Sequence, residues 1–323
     1  MMLRFVNVFA VVLTVVTNVS FAHDGKGPVS IQQYPLDRVS PHIYVVHGAH
    51  QLPNPKNRGF INNPAAILTS NGVIIVDPGS SAEVGKQLLK KVRKVSNKPV
   101  IAILNTHVHG DHWLGNSGIR ELYPNVPIYA HERMIERANA GEGEDWIKLF
   151  NTMTKGAIVG TKAIVPNIGL KGGETLKLDG VTLRVHYAGH AHSDNDLMYE
   201  VVDDKALFFG DVVGNKYISN SAVPQDASFK GSITAIKTML QGPATIFIPG
   251  HGRTGGREVP EATLRFLEKL RASVSKHYKQ GLADYEMKDA VIKELDEYRD
   301  WDSFNELGRV ITFVYQEVEK ENF

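Results

Sequence analysis

The sequence predicts one two-layered α/β domain, and three observations carry that prediction. An amphipathic helix is flanked by two strand-like runs, several apolar runs end in loops bearing glycine and histidine, and no linker cleanly splits the 323 residues. Strand, helix, strand is the βαβ unit. The length supports one large core.

The elements follow in chain order. His42 to Val46, Ala65 to Leu68 and Gly72 to Val76 are short β-rich runs, the last closed by the turn Asp77-Pro78-Gly79. From Ala82 to Val95 the period changes: Val84, Leu88, Val92 and Val95 share a helical face, with Lys86, Lys90 and Arg93 elsewhere. Val100 to Leu104 is almost wholly apolar, as expected of a strand covered on both sides. His131 to Thr154 reads as helical, anchored by Trp146, Leu149 and Phe150. Val181 to Tyr187 alternates strictly, placing Thr182, Arg184 and His186 on one polar face. Leu197 to Val202, Ala206 to Phe209 and Thr245 to Ile248 are further strands. Helices from about residue 259 close the chain, with one stripe at Leu264, Leu267, Leu270, Val274 and Tyr278, and another at Phe304, Leu307, Ile311, Val314 and Val318.

Residues 1–22 stand apart. Arg4 precedes an apolar run, and Ser20-Phe21-Ala22 offers small residues where a signal peptidase cuts, so this segment is expected to be a cleaved export signal. The mature domain then spans 23–323, in the periplasm or outside the cell. No second apolar run is long enough to hold it in a bilayer.

With 36 basic and 35 acidic residues, the chain has no overall bias toward nucleic acid or anionic membrane, and the near-zero charge says nothing about substrate. Oligomeric state is left open by the sequence. The absence of cysteine excludes disulfides, thiolate metal sites and a cysteine nucleophile, while 13 histidines are available. Any zinc or iron must then be held by imidazole and carboxylate.

Four such groups, His107, His109, Asp111 and His112, fall within six residues just after the buried strand ending at Leu104. Loops at strand ends aim side chains into a common cleft. An extended backbone projects His107 and His109 to one side, while Asp111 and His112 enter the next turn and face a second point. His192, Asp211 and His251 each follow another apolar run, with glycine close by. Five histidines and two aspartates suffice for two metal ions sharing a carboxylate. Such a donor set suits Zn²⁺ and also accepts Fe or Mn.

The order His107-x-His109-x-Asp111-His112, then His192, Asp211 and His251, resembles the metallo-β-lactamase superfamily. The resemblance runs from about Tyr44 to Gly252 and implies a four-layered αβ/βα sandwich, here with added C-terminal helices. It further implies one metal on His107, His109 and His192, and a second on Asp111, His112 and His251, with Asp211 bridging. His190 competes for the third place in the first site; His192 is favoured because the family's histidine precedes Ser or Thr, and Ser193 follows it. Asp77 matches a structural aspartate near the metals. His42, His47, His50, His131, His186 and His277 are expected to serve packing or surface roles.

Two adjacent cations acidify a shared water and stabilise a developing oxyanion. Asp111 would orient that nucleophile. The resemblance therefore implies a zinc hydrolase of an ester, thioester, lactone or related molecule. Asp211, where one large β-lactamase class has cysteine, disfavours β-lactams. Two other readings are a mononuclear iron persulfide dioxygenase and a non-catalytic periplasmic metal or metabolite binder. The loop Gly48 to Asn63, with Lys56, Arg58 and Phe60, is a candidate flap, and Tyr217 a candidate substrate contact.

Overall fold

The computed structural model describes residues 31–218 and 226–322, so the signal-like segment 1–22 lies outside the described residues. The first sheet has seven strands in chain order: β1 (Asp37–Arg38), β2 (Ile43–Val45), β3 (Ala65–Leu68), β4 (Val73–Val76), β5 (Val100–Leu104), β6 (Ile128–His131) and β7 (Ile168–Leu170). It is antiparallel up to β4 and parallel from β4 to β7. The second sheet comprises β8 (Thr175–Leu178), β9 (Val181–Tyr187), β10 (Leu197–Val201), β11 (Ala206–Gly214) and β12 (Ile246–His251). Its pairs are antiparallel except β11 with β12.

The helices are α1 (Ala82–Val92), α2 (Gly110–Trp113), α3 (Asn116–Arg120), α4 (Glu132–Arg137), α5 (Gly143–Met153), α6 (Phe229–Met239), α7 (Glu258–Lys279), α8 (Asp284–Glu294) and α9 (Leu307–Glu321). Ser81 caps α1 by accepting from Val84 N at 3.2 Å.

Three apolar layers hold these elements as helix, sheet, sheet, helix. Between the sheets, Ile67, Ile74, Ala102 and Leu104 meet Leu183, Leu197, Tyr199 and Phe208. On the outer face of the first sheet, Ile75 and Ile103 pack against Val84, Leu88 and Ile119. On the outer face of the second, Leu207, Phe209 and Phe247 pack against Phe266, Leu270 and Val314. This is the αβ/βα sandwich, and the C-terminal helices share the second sheet's core. No helix among the described residues is long and apolar enough to cross a membrane.

Several boundaries moved. The first helix stops at Val92, leaving Val95 exposed in the following turn. The 131–154 region is two helices separated at Gly141, whose φ of +103° breaks the run. Phe150 is buried there, but Leu149 is exposed. β6, β7, β8 and α6 carry apolar patterns too weak or short to announce them in the sequence. β11 and β12 run further than their apolar stretches, because backbone pairing continues through Gly210 and Pro249.

Candidate metal centre

The centre forms where β5, β11 and β12 end together. After β5 the chain bends at Val108, is extended at His109 (φ −67°, ψ 136°) and turns into α2. Val108 fixes this stretch: its N–H donates to Asn195 Oδ1 at 3.0 Å, and its carbonyl accepts from Trp113 Nε1 at 2.6 Å. Asp211 is not a loop residue as expected but sits within β11, just past a bulge at Gly210 (φ +54°), where an added methyl would meet Thr106 Cβ at 2.9 Å. His251 likewise is the last residue of β12 rather than the first beyond it.

All seven expected residues converge. Three groups each have ligand-type atoms within 4.8 Å of one another: His107, His109 and His192; His107, His112 and Asp211; Asp111, His112 and His251. Asp211 lies between the outer two, its Oδ2 3.5 Å from His192 Nε2 and 3.3 Å from His251 Nε2, and its Oδ1 3.1 Å from His112 Nε2. Asp111 Oδ2 is 3.2 Å from His251 Nε2 and 3.4 Å from His112 Nε2.

The hydrogen bonds aim the rings. His107 Nδ1 bonds Thr106 Oγ1 at 3.0 Å, and that hydroxyl donates to Asp77 Oδ2 at 2.6 Å. His112 Nδ1 donates to Asp77 Oδ2 at 2.8 Å, and His251 Nδ1 to the Ile61 carbonyl at 3.0 Å. His109 Nε2 faces Asp226 Oδ2 at 3.4 Å, which turns its Nδ1 toward His192 Nε2 at 2.8 Å. In four histidines, then, the outer nitrogen is tied down and the inner one is directed at the centre. Such outer partners orient the rings of metal-binding histidines. His107 Nε2 is buried without a hydrogen-bond partner, and His112 Nε2 and Asp211 Oδ1, 3.1 Å apart, face each other as an ion pair without hydrogen-bond geometry. Orphaned polar atoms of this kind are costly unless something else satisfies them. The donor set therefore fits cations.

Electrostatics divides the cluster in two. Burial holds His107 well below the usual imidazole range and brings His192 down to about 3, so both are neutral donors. Burial opposes charge on His112 and His251 too, but Asp211 and Asp111 outweigh it and hold both well above that range. The same pairing keeps the Asp111 and Asp211 carboxyls low against the effect of burial.

An aromatic ring flanks each end: Trp146 packs on His109 with centroids 5.1 Å apart, and Tyr217 stacks on His251 at 5.3 Å. The sequence assigns no role at the centre to Asp226, Trp146, Arg137, His50 or Asp302. Their placement depends on contacts between distant segments, and none sits in a recognisable motif. His50, expected to be ordinary, pairs with Asp302 and lies 5.6 Å from Tyr217. His190 stays outside the cluster and bonds the Asp226 carbonyl at 3.0 Å. The flap reading of Gly48 to Asn63 is corrected: Phe60 is fully buried against Tyr34, and Asn63 braces Pro249 O and Gly252 O. Ile61 and Asn63 thus buttress β12 around His251, while Arg58 lines a separate small pocket.

A fold of two sheets between helices, closing around buried histidines and aspartates, defines a metal-dependent hydrolase class. The sequence model of the metallo-beta-lactamase superfamily matches residues 58–251, and the chain belongs to that superfamily. A protein of Streptococcus pyogenes serotype M6 described as a probable metallo-hydrolase is 25% identical over 202 residues, covering 62% of this chain and 81% of that one. A hydroxyacylglutathione hydrolase of Francisella tularensis subsp. holarctica is 26% identical over 163 residues. That match spans 49% of this chain and about half, 52%, of the relative. Among solved structures, the stereoselective inverting sec-alkylsulfatase of Pseudomonas sp. superposes with a TM-score of 0.66 at 20% identity, covering 88% of this chain and 50% of that one. At that identity the likeness speaks for the fold alone.

Proposed function

We propose that this chain is an exported, binuclear zinc hydrolase acting on an ester, thioester, lactone or related small molecule. Its signal segment would be residues 1–22 and its single domain residues 23–323. The observation that carries the reading is the convergence of inner histidine nitrogens on two adjacent points with Asp211 between them. His107, His109 and His192 would hold one Zn²⁺; Asp111, His112 and His251 would hold the other, with Asp211 shared. Two cations held there would acidify a water and stabilise the charge that develops on the substrate oxygen.

The protein's own groups do the rest. Asp111 Oδ2, beside both His112 and His251, is placed to accept a proton from the attacking water and so orient it. Burial of the surrounding side chains excludes bulk solvent and strengthens every charge interaction inside. The hydroxyacylglutathione hydrolase relative supports thioesters within the substrate class. Asp211, in place of a cysteine, argues against β-lactams.

The group His107, His112 and Asp211 is itself two histidines and a carboxylate, the donor set of mononuclear iron oxygenases. Metal analysis of protein purified without added metal, with a panel of esters, thioesters, lactones, phosphodiesters and persulfides, separates these readings. About two zinc per chain with anaerobic turnover is expected. One iron with oxygen consumption would replace hydrolysis by oxidation. Two filled sites with no turnover on any substrate would leave a binding protein.

A further inference from the structure

Arg137 ends α4, far in sequence from the ligand-type residues of the centre, yet three carboxylates from three segments meet on its guanidinium. Glu142 is held through Nε and Nη2 at 2.6 and 2.8 Å. Asp194, two residues from His192, is held at 3.0 Å. Asp226 is held at 2.9 Å by Nη1 and 3.1 Å by Nη2.

Two of these carboxylates lead onward to one ring. Asp226 Oδ2 faces His109 Nε2 at 3.4 Å. Glu142 Oε1 accepts from Trp146 Nε1 at 3.3 Å, and that indole packs on His109. His109 is thus braced at its edge and on its face by groups that Arg137 holds. The histidines of the other group are braced differently, His112 by Asp77 and His251 by the Ile61 carbonyl.

We propose that Arg137 is a positioning residue that sets the metal affinity of the group His107, His109 and His192 and leaves that of Asp111, His112 and His251 unaffected. The proposal rests on the metal-centre reading above. A planar, forked guanidinium holds Glu142 and Asp226 through two nitrogens each and Asp194 as well; the three donors of a lysine ammonium sit on one atom and cannot reproduce these five contacts.

The test measures Zn²⁺ dissociation constants in two backgrounds of the full chain, His251→Ala (first group intact) and His192→Ala (second group intact). Arg137→Lys should weaken binding about 10–100-fold in the first background, the usual loss when an outer partner of a ligand is removed. In the second, the change should stay within about threefold. A general structural role would weaken both backgrounds alike, and that result, or no effect in either, overturns the proposal. If Arg137→Lys fails to fold, Asp226→Asn and Glu142→Gln each remove one arm and should show the same selectivity; its absence there also overturns the proposal. Wild-type protein that takes up no Zn²⁺ removes the metal reading and this inference together. Two bound zinc ions with no selective effect removes only the inference.

Discussion

Asp77 Oδ2 accepts a hydrogen bond from His112 Nδ1 at 2.8 Å, joining residues 35 positions apart at the buried base of the centre. The same oxygen accepts from Thr106 Oγ1 at 2.6 Å, and that hydroxyl bonds His107. One carboxylate therefore aims two rings. Asp77→Ala should weaken metal binding by about 10–100-fold and lower stability by about 1–3 kcal/mol through the unpaired buried groups it leaves. Metal titration and urea unfolding check both, and unchanged affinity would remove the aiming role.

Asp211 is the side chain between the two ligand groups. Asp211→Asn should lower metal content and turnover together. Full retention of both would remove the shared-carboxylate assignment.

His192 and His190 lie in one loop, but only His192 reaches the cluster. His192→Ala should release about one metal per chain, as read by elemental analysis. His190→Ala should keep the wild-type content, with at most a few-fold loss of affinity through the Asp226 segment that it braces.

Gly250 passes so close to the centre that an added methyl would meet Asp211 Oδ1 at 1.9 Å. Neither the strand backbone nor the enclosed carboxylate can yield easily. Gly250→Ala should therefore displace Asp211 and reproduce the metal loss of Asp211→Asn. Wild-type metal content in that variant would show that the carboxylate has room to move.

Burial pushes Asp196 up to about 7, against the Ser193 N–H and hydroxyl that hydrogen-bond to its carboxyl. Its unfolded value is near 3.9. The folded state thus binds this proton more tightly, so the stabilisation is complete below about pH 4 and is lost as pH rises through about 7. At ~1.4 kcal/mol per pH unit the loss amounts to a few kcal/mol at most. Asp196→Asn cannot ionise and should gain stability relative to wild type between pH 5 and pH 8. Parallel urea curves for the two proteins at both values would contradict this.

Much of the centre was legible because metal-ligand residues cluster at the ends of apolar runs, and apolar runs announce strands. His107 to His112 after β5 is the plainest case. Asp211 and His251 were found by the same logic, although each lies inside its strand, since the apolar pattern stops before the backbone pairing does. β7 and β8 escaped because they are half exposed and short. The flap reading failed at Phe60, where a loop residue fills the core between α1 and the first sheet.

The sequence by itself determined which side chains were available to the centre and, with cysteine absent, what chemistry they could supply. Periodicity and local residue type write that information into short windows of chain. The tertiary structure decided that Asp226 and Trp146 brace His109, and that Arg137 gathers three carboxylates beside it. Those outcomes depend on polar side chains from segments tens of residues apart meeting in three dimensions. No periodicity encodes such meetings, because each is set by where the two sheets and their helices bring distant loops together.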